Sequence, residues 1–233
     1  MEAVALISLA MGTAWASGIN LYAAVFMLGI LGSSGHVVLP PELEVLTDPL
    51  VITAAGFMYC VEFFTDKVPG VDTGWDAIHS FIRIPAGAVL AAGAMAEVGP
   101  AAELAGFLIG GSLAATSHIT KAGGRVLINT SPEPVSNWTA SLAEDLAVIA
   151  GLWTALNHPV VFLVLLGVFL ILAVWLLPRI WRGVKFVGCR IARLFGGCKE
   201  PAPTPEPDGS LTDLPSLRPP EPGDGGDRTP QRP

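Results

Sequence analysis

Residues 62 to 83, "EFFTDKVPGVDTGWDAIHSFIR", hold the densest chemistry in the chain. Glu62 falls inside an apolar run, where an ionised carboxylate is costly enough to mark a functional group. Asp66 stands one helical turn further along, close enough to share a proton or a cation with it. Pro69-Gly70 then interrupts the helix. Beyond the break, Asp72, Asp76, His79 and Arg83 recur at the spacing of one helix face, with Trp75, Ile78 and Ile82 on another. Two aspartates and a histidine on one face could bind a divalent metal or relay protons. The simpler expectation is a solvated face, with Asp72 as a helix cap and Asp76 and His79 as a weak surface pair.

A second polar stretch, "TSHITKAGGR" at residues 116–125, follows the apolar run "FLIGGSLAA". It places Ser117, His118, Lys121 and Arg125 in one short segment. If a membrane helix breaks here, the following half-helix offers backbone N–H groups beside two cations, an arrangement that favours an anion. If the span instead ends at Thr116, the same residues form a cytoplasmic loop. A further carboxylate, Glu144, with Asp145 beside it, lies in the next apolar segment and is a candidate partner for a proton or a cation.

The elements that must position these groups are membrane helices. Of 233 residues, 52% are hydrophobic and 14% charged, and mean hydropathy is +0.58. The net charge of −7 comes unevenly, because the last 34 residues hold seven acids against three arginines. An all-α polytopic bundle is expected, with six spans near 3–32, 49–65, 84–98, 103–129, 139–156 and 159–177. Glu2 is the only early charge ahead of "AWA", so residues 3–32 read as retained membrane structure rather than a signal peptide. Loops after the first, third and fifth spans carry Glu42, Glu44, Asp48, Glu97 and Glu103 without a single Lys or Arg. Lys67, Arg83, Lys121 and Arg125 fall after the second and fourth. Arg179, Arg182, Lys185, Arg190, Arg193 and Lys199 follow the sixth. The positive-inside rule then places both termini in the cytoplasm of a cell whose inner membrane holds the protein.

Three regions follow: a transmembrane domain over 1–177, a basic amphipathic juxtamembrane helix over 178–199, and a disordered Pro-rich tail over 200–233. The basic helix would anchor on the inner leaflet and meet anionic lipid headgroups. Cys60, Cys189 and Cys198 form no disulfide framework and no zinc pattern. No cofactor or nucleic-acid partner is expected.

The first span, at about 30 residues, would be roughly 45 Å long as a straight helix, against about 30 Å of hydrocarbon. "ASGIN" sits near its middle, and Ser17, Gly18 and Asn20 are poor helix-interior residues. A broken or re-entrant helix is therefore expected. At an offset of 100 residues Ser17-Gly18-Ile19 overlies Ser117-His118-Ile119. This predicts a three-plus-three inverted repeat, 1–99 and 101–177, with broken first and fourth segments.

Ser17-Gly18-Ile19-Asn20 with Tyr22, and Asp66-x-Val68-Pro69-x-x-Asp72-x-x-Trp75-Asp76-x-x-His79 continuing to Arg83 and Gly87, resemble the bacterial multi-pass membrane proteins catalogued as domain of unknown function 4126. The resemblance covers roughly residues 1–177, implies an integral membrane protein and carries no activity with it. On the residues themselves, the leading expectation is a transporter or channel for a small anionic or phosphate-bearing solute or a lipid headgroup. It would bind at Ser17, Asn20, Tyr22, Ser117, His118, Lys121 and Arg125, with Glu62, Asp66 and Glu144 as coupling groups. A divalent-cation or proton transporter built on the carboxylates, with Asp72, Asp76 and His79 as metal ligands, is the alternative. A non-transport scaffold that recruits partners through its tail is another. No P-loop, nucleophile elbow or H-E-x-x-H pattern occurs, and no enzyme is expected.

Overall fold

The computed structural model describes residues 3–130 and 134–194; the Pro-rich tail and Lys199 lie outside them. The described residues form six α-helices and no strand: α1 Ala3–Ser33, α2 Pro49–Thr65, α3 Val71–Met95, α4 Pro100–Ile128, α5 Pro134–Asn157 and α6 Pro159–Leu194. Short 3-10 turns occupy Pro41–Thr47 and Ala96–Val98. Proline stands at the first turn of α2 and α4, where its missing N–H would have had no partner. Asp48 caps α2 by accepting a hydrogen bond from the Leu50 amide.

The bundle is apolar outside, and its interior holds both an apolar core, with Leu9, Leu28, Leu43 and Leu90, and a charged region. On α3 the buried face reads Asp72, Asp76, His79, Arg83, Gly87, while Ile78, Phe81 and Val89 on the opposite side are more than half exposed. α6 likewise turns Val164, Ile171 and Val174 outward. In water such a surface would aggregate; in lipid it is the low-energy arrangement, and the buried polar groups must satisfy one another. Four helices are long and apolar enough to cross a membrane, α1, α3, α5 and α6. Six spans are expected from hydropathy; by length and composition four helices qualify, or five if the bent pair Pro41–Thr47 and Pro49–Thr65 counts as one span. α2 is a 17-residue helix bent by 66° from the turn before it, and α4 carries Glu103, Lys121 and Arg125.

α1 is broken at Asn20, whose φ/ψ of −146°/94° is extended rather than helical. The Asn20 side chain accepts from the Ala23 amide at 2.9 Å and so caps the second half of α1. That half turns back. Ala14 and Ser17 lie against Gly87 of α3, whereas Gly29 lies against Leu46, and Leu43 packs on Gly93, close to the C-terminal end of α3. A straight α1 would carry Gly29 away from Gly93, in the opposite direction. The first half starts at the same end of the bundle, since Ser8 donates to the Ala155 carbonyl near the end of α5.

α4, in contrast, is helical through Ser117 and Thr120 to Ile128. The expected break in the fourth segment does not form, and neither does the cytoplasmic loop after Thr116. The first half of α1 and α4 also run in the same direction: Ala14 meets Gly110, Gly18 meets Ala114 and Ser117, and the Ile19 carbonyl accepts from Lys121. Helices related by an inverted repeat would be antiparallel. The 100-residue correspondence therefore marks a contact between two Ser-containing segments, not two inverted copies. Nor does the basic segment form a separate helix. α6 continues through Pro178 as one rod, packing Ile180 on Gly123 and Gly183 on Leu127 at the end of the bundle opposite Ala3.

Candidate functional site: a buried ion-pair network

Where the tip of α1 meets the C-terminal turns of α2 and α4 and the N-terminal halves of α3 and α5, the interior is filled with charge. Arg83 is fully buried and donates to Glu62 at 2.6 Å and to Asp76 at 2.8 Å. The pair with Asp76 spans two turns of α3, and Glu62 comes from α2. Lys121, on α4, donates to Asp66 at 2.9 Å, to the Ile19 carbonyl at 3.0 Å and to Glu62 at 3.4 Å. An ammonium has three protons, and all three are engaged. Arg125, one turn on, grips Glu144 in a two-point bridge, Nε to Oε1 at 3.2 Å and Nη2 to Oε2 at 2.5 Å. Its remaining nitrogen donates to the Asp66 carbonyl and to Asn137 Oδ1. Asp72 lies 3.9 Å from Arg125 and is held by Asn129, which donates to both of its oxygens. Asp145 accepts from Asn20 at 3.0 Å, which ties the α1 break to α5.

The sequence-derived residues thus converge, with roles that differ from those expected. Asp72, Asp76 and His79 do not form a solvated face; all three are buried. Nor do they converge on one point. His79 Nδ1 donates to the Trp75 carbonyl, which leaves Nε2 to accept from the Tyr22 hydroxyl at 3.1 Å. Among the described residues no three His, Cys, Asp or Glu side chains are placed to hold a metal ion together. Ser17 donates to the Arg83 carbonyl and Ser117 to the Trp15 carbonyl. Both serines therefore lock helices together where a substrate pocket was expected, and a Cβ on Gly18 would collide with Ser117 and the Ala114 carbonyl. His118 Nε2 lies 2.7 Å from Ser80 Oγ, which itself donates to the Asp76 carbonyl.

Sequence reasoning singled out Glu62, Asp66 and Glu144 but gave Arg83, Asn129 and Asn137 no role at the site. Arg83 could have been found from its seven-residue spacing to Asp76, two turns of one helix. Asn129 and Asn137 carry no such signal, because their partners lie in other helices.

Within this network, Glu62, Asp66, Asp72, Asp76, Glu144 and Asp145 face Arg83, Lys121 and Arg125, with Lys67 at the edge. By formal charge the six carboxylates outnumber the four cations by two. Glu62 Oε2, Asp66 Oδ1, Asp76 Oδ2 and Asp145 Oδ2 are buried and accept no hydrogen bond from any described residue.

Apolar helices facing outward around an interior of ion pairs define a polytopic membrane protein. The chain belongs to the family described as domain of unknown function (DUF4126), whose model matches residues 7–179. No curated protein and no solved structure matches it.

Proposed function

We propose that the protein is a membrane transporter whose coupling species is a proton or a monovalent cation, taken up by the carboxylates of the buried network. The observation that carries this reading is the charge imbalance. An uncompensated carboxylate removed from water costs several kcal/mol, and a site with two or more in excess lowers its energy by holding protons or cations. The unpartnered oxygens of Glu62, Asp66 and Asp76 are the groups that would hold them. A cation is favoured over the anionic solute expected from sequence, because the donors of Lys121 and Arg125 already serve protein acceptors.

The inner membrane is the expected location, with the acidic loops outside and the Lys67, Arg179 and Arg182 end inside. The test is flux. The full chain, purified into liposomes loaded with a pH-sensitive dye, is expected to change the internal pH when a Na+ or K+ gradient is imposed. Glu62→Gln or Asp66→Asn should abolish the signal. A response to a phosphate gradient instead would restore the anion reading. No response to either, with the protein intact, would favour the scaffold.

A further inference from the structure

The network is buried unevenly. The side chains of Glu62, Asp66, Asp72 and Asp76 are 0–3% exposed, whereas that of Glu144 is 21% exposed. Glu144 also stands at a seam. α5 packs on α1 through Val148, Leu152 and Ala155, but near the charged end α4 is joined to α5 by Arg125, which holds Glu144 and Asn137. One turn before Glu144 on α5 lies Ser141. It is 1% exposed, and its hydroxyl finds no partner among the described residues. Asp145, next to Glu144 and one turn after Ser141 on the same helix face, has its Oδ2 in the same condition. A buried hydroxyl and a buried carboxylate oxygen at i and i+4 of one helix, each without a partner among the described residues, provide two oxygen ligands on one face.

We propose that the Arg125–Glu144 bridge is the gate of the network, and that Ser141 and Asp145 form the first site behind it for a monovalent cation or a hydronium ion. The proposal rests on the cation-transport reading above and adds its route. A cation arriving at Glu144 competes with Arg125 for the carboxylate. Once released, the guanidinium can turn to Asp66, whose Oδ2 lies 3.6 Å from Nη2. Lys121 spans the inner side, 3.7 Å from Glu144 and 2.9 Å from Asp66, so the charge displaced at the gate is felt directly at the centre. Glu144 is a gating residue here; the ligands are Ser141 and Asp145.

The route can be tested without measuring transport. The full chain in liposomes is treated with a water-soluble carbodiimide and an amine, and modified carboxyls are mapped by peptide mass spectrometry, with exposed Glu42 and Glu44 as internal controls. Glu144 should be modified well before Asp66 and Asp145. In Glu144→Gln, and in Glu144→Asp, which keeps the charge but shortens the reach, Asp145 should become modified at least several-fold faster than in the wild type. Ser141→Ala should slow cation-driven pH change while leaving the modification of Glu144 unaltered. The gate is wrong if Asp145 or Asp66 reacts as fast as Glu144 in the wild type, or if both Glu144 variants, monodisperse on size exclusion, protect Asp145 as well as the wild type does. If the order of modification holds but no cation gradient moves the dye, the gate stands as an access path and the transport reading falls.

Discussion

Arg83 shows what a single buried charge does in this interior. It neutralises Glu62 from α2 and Asp76 from its own helix, and its removal would strand two carboxylates away from water. Breaking a buried pair by deleting one partner costs about 3–5 kcal/mol. Arg83→Met should therefore lower the unfolding temperature in detergent markedly, and adding Glu62→Gln should recover part of the loss. Strict additivity of the two changes would mean that the pair is not coupled. Glycines give a second contrast. Gly18→Ala places a methyl against the Ala114 carbonyl, a backbone group that cannot swing aside, so a loss of about 1–3 kcal/mol is expected. Gly74, in α3, has open space beside it, and Gly74→Ala should stabilise by up to about 1 kcal/mol through helix propensity alone. Thermal melts of the two variants side by side check both signs.

At the level of elements, the break in α1 decides how the network is closed. Asn20 works twice, as the cap of the second half-helix and as a donor to Asp145. Asn20→Ala loses both roles, whereas Asn20→Ser keeps a capping oxygen and loses the reach to α5. The alanine variant should be less stable than the serine variant by about 0.5–2 kcal/mol, the typical worth of a cap. If the two melt together, the cap is not what holds the bend. The continuity of α4 has the opposite cause. The Ser117 hydroxyl lies within reach of the Leu113 and Ala114 carbonyls of its own helix as well as that of Trp15, and its one proton is shared among them. Gly123 sits where Ile180 presses close. Residues that read as helix breakers are therefore used for close helix contact.

For the whole molecule, the fold places Ala3 and the C-terminal turns of α6 at opposite ends. The first half of α1 begins beside Ala155, and α6 ends beyond Ile180 and Gly183. Opposite sides of a bilayer are therefore the expected places of these two ends, where an even number of spans predicts a shared cytoplasmic location. Single cysteines at Val4, Glu44 and Lys185, in a chain freed of its native cysteines, should separate the two arrangements. An impermeant thiol reagent applied to intact cells should label the first two positions, and label Lys185→Cys only after permeabilisation. If Val4→Cys, like Lys185→Cys, labels only after permeabilisation, the six-span topology with both termini in the cytoplasm is restored.

Membrane character, the helical class and the charged residues worth watching were legible from sequence, because each depends on local composition: apolar runs, a carboxylate inside one, a Ser-Gly-Ile-Asn break too long to pass straight through lipid. The partners were not legible. Asp66 with Lys121, Glu62 with Arg83, and Asn20 with Asp145 are separated by 55, 21 and 125 residues, and a periodic pattern reports only which face of a helix is polar, not what that face will meet. The same limit misled the repeat, since two similar segments in one chain can touch side by side as readily as they can be related by an axis. Local sequence set which groups would be buried and at what cost. Only the packing of α2, α3, α4 and α5 around the tip of α1 decided that the cations would be consumed by the protein's own acids and that an excess of carboxylate would remain.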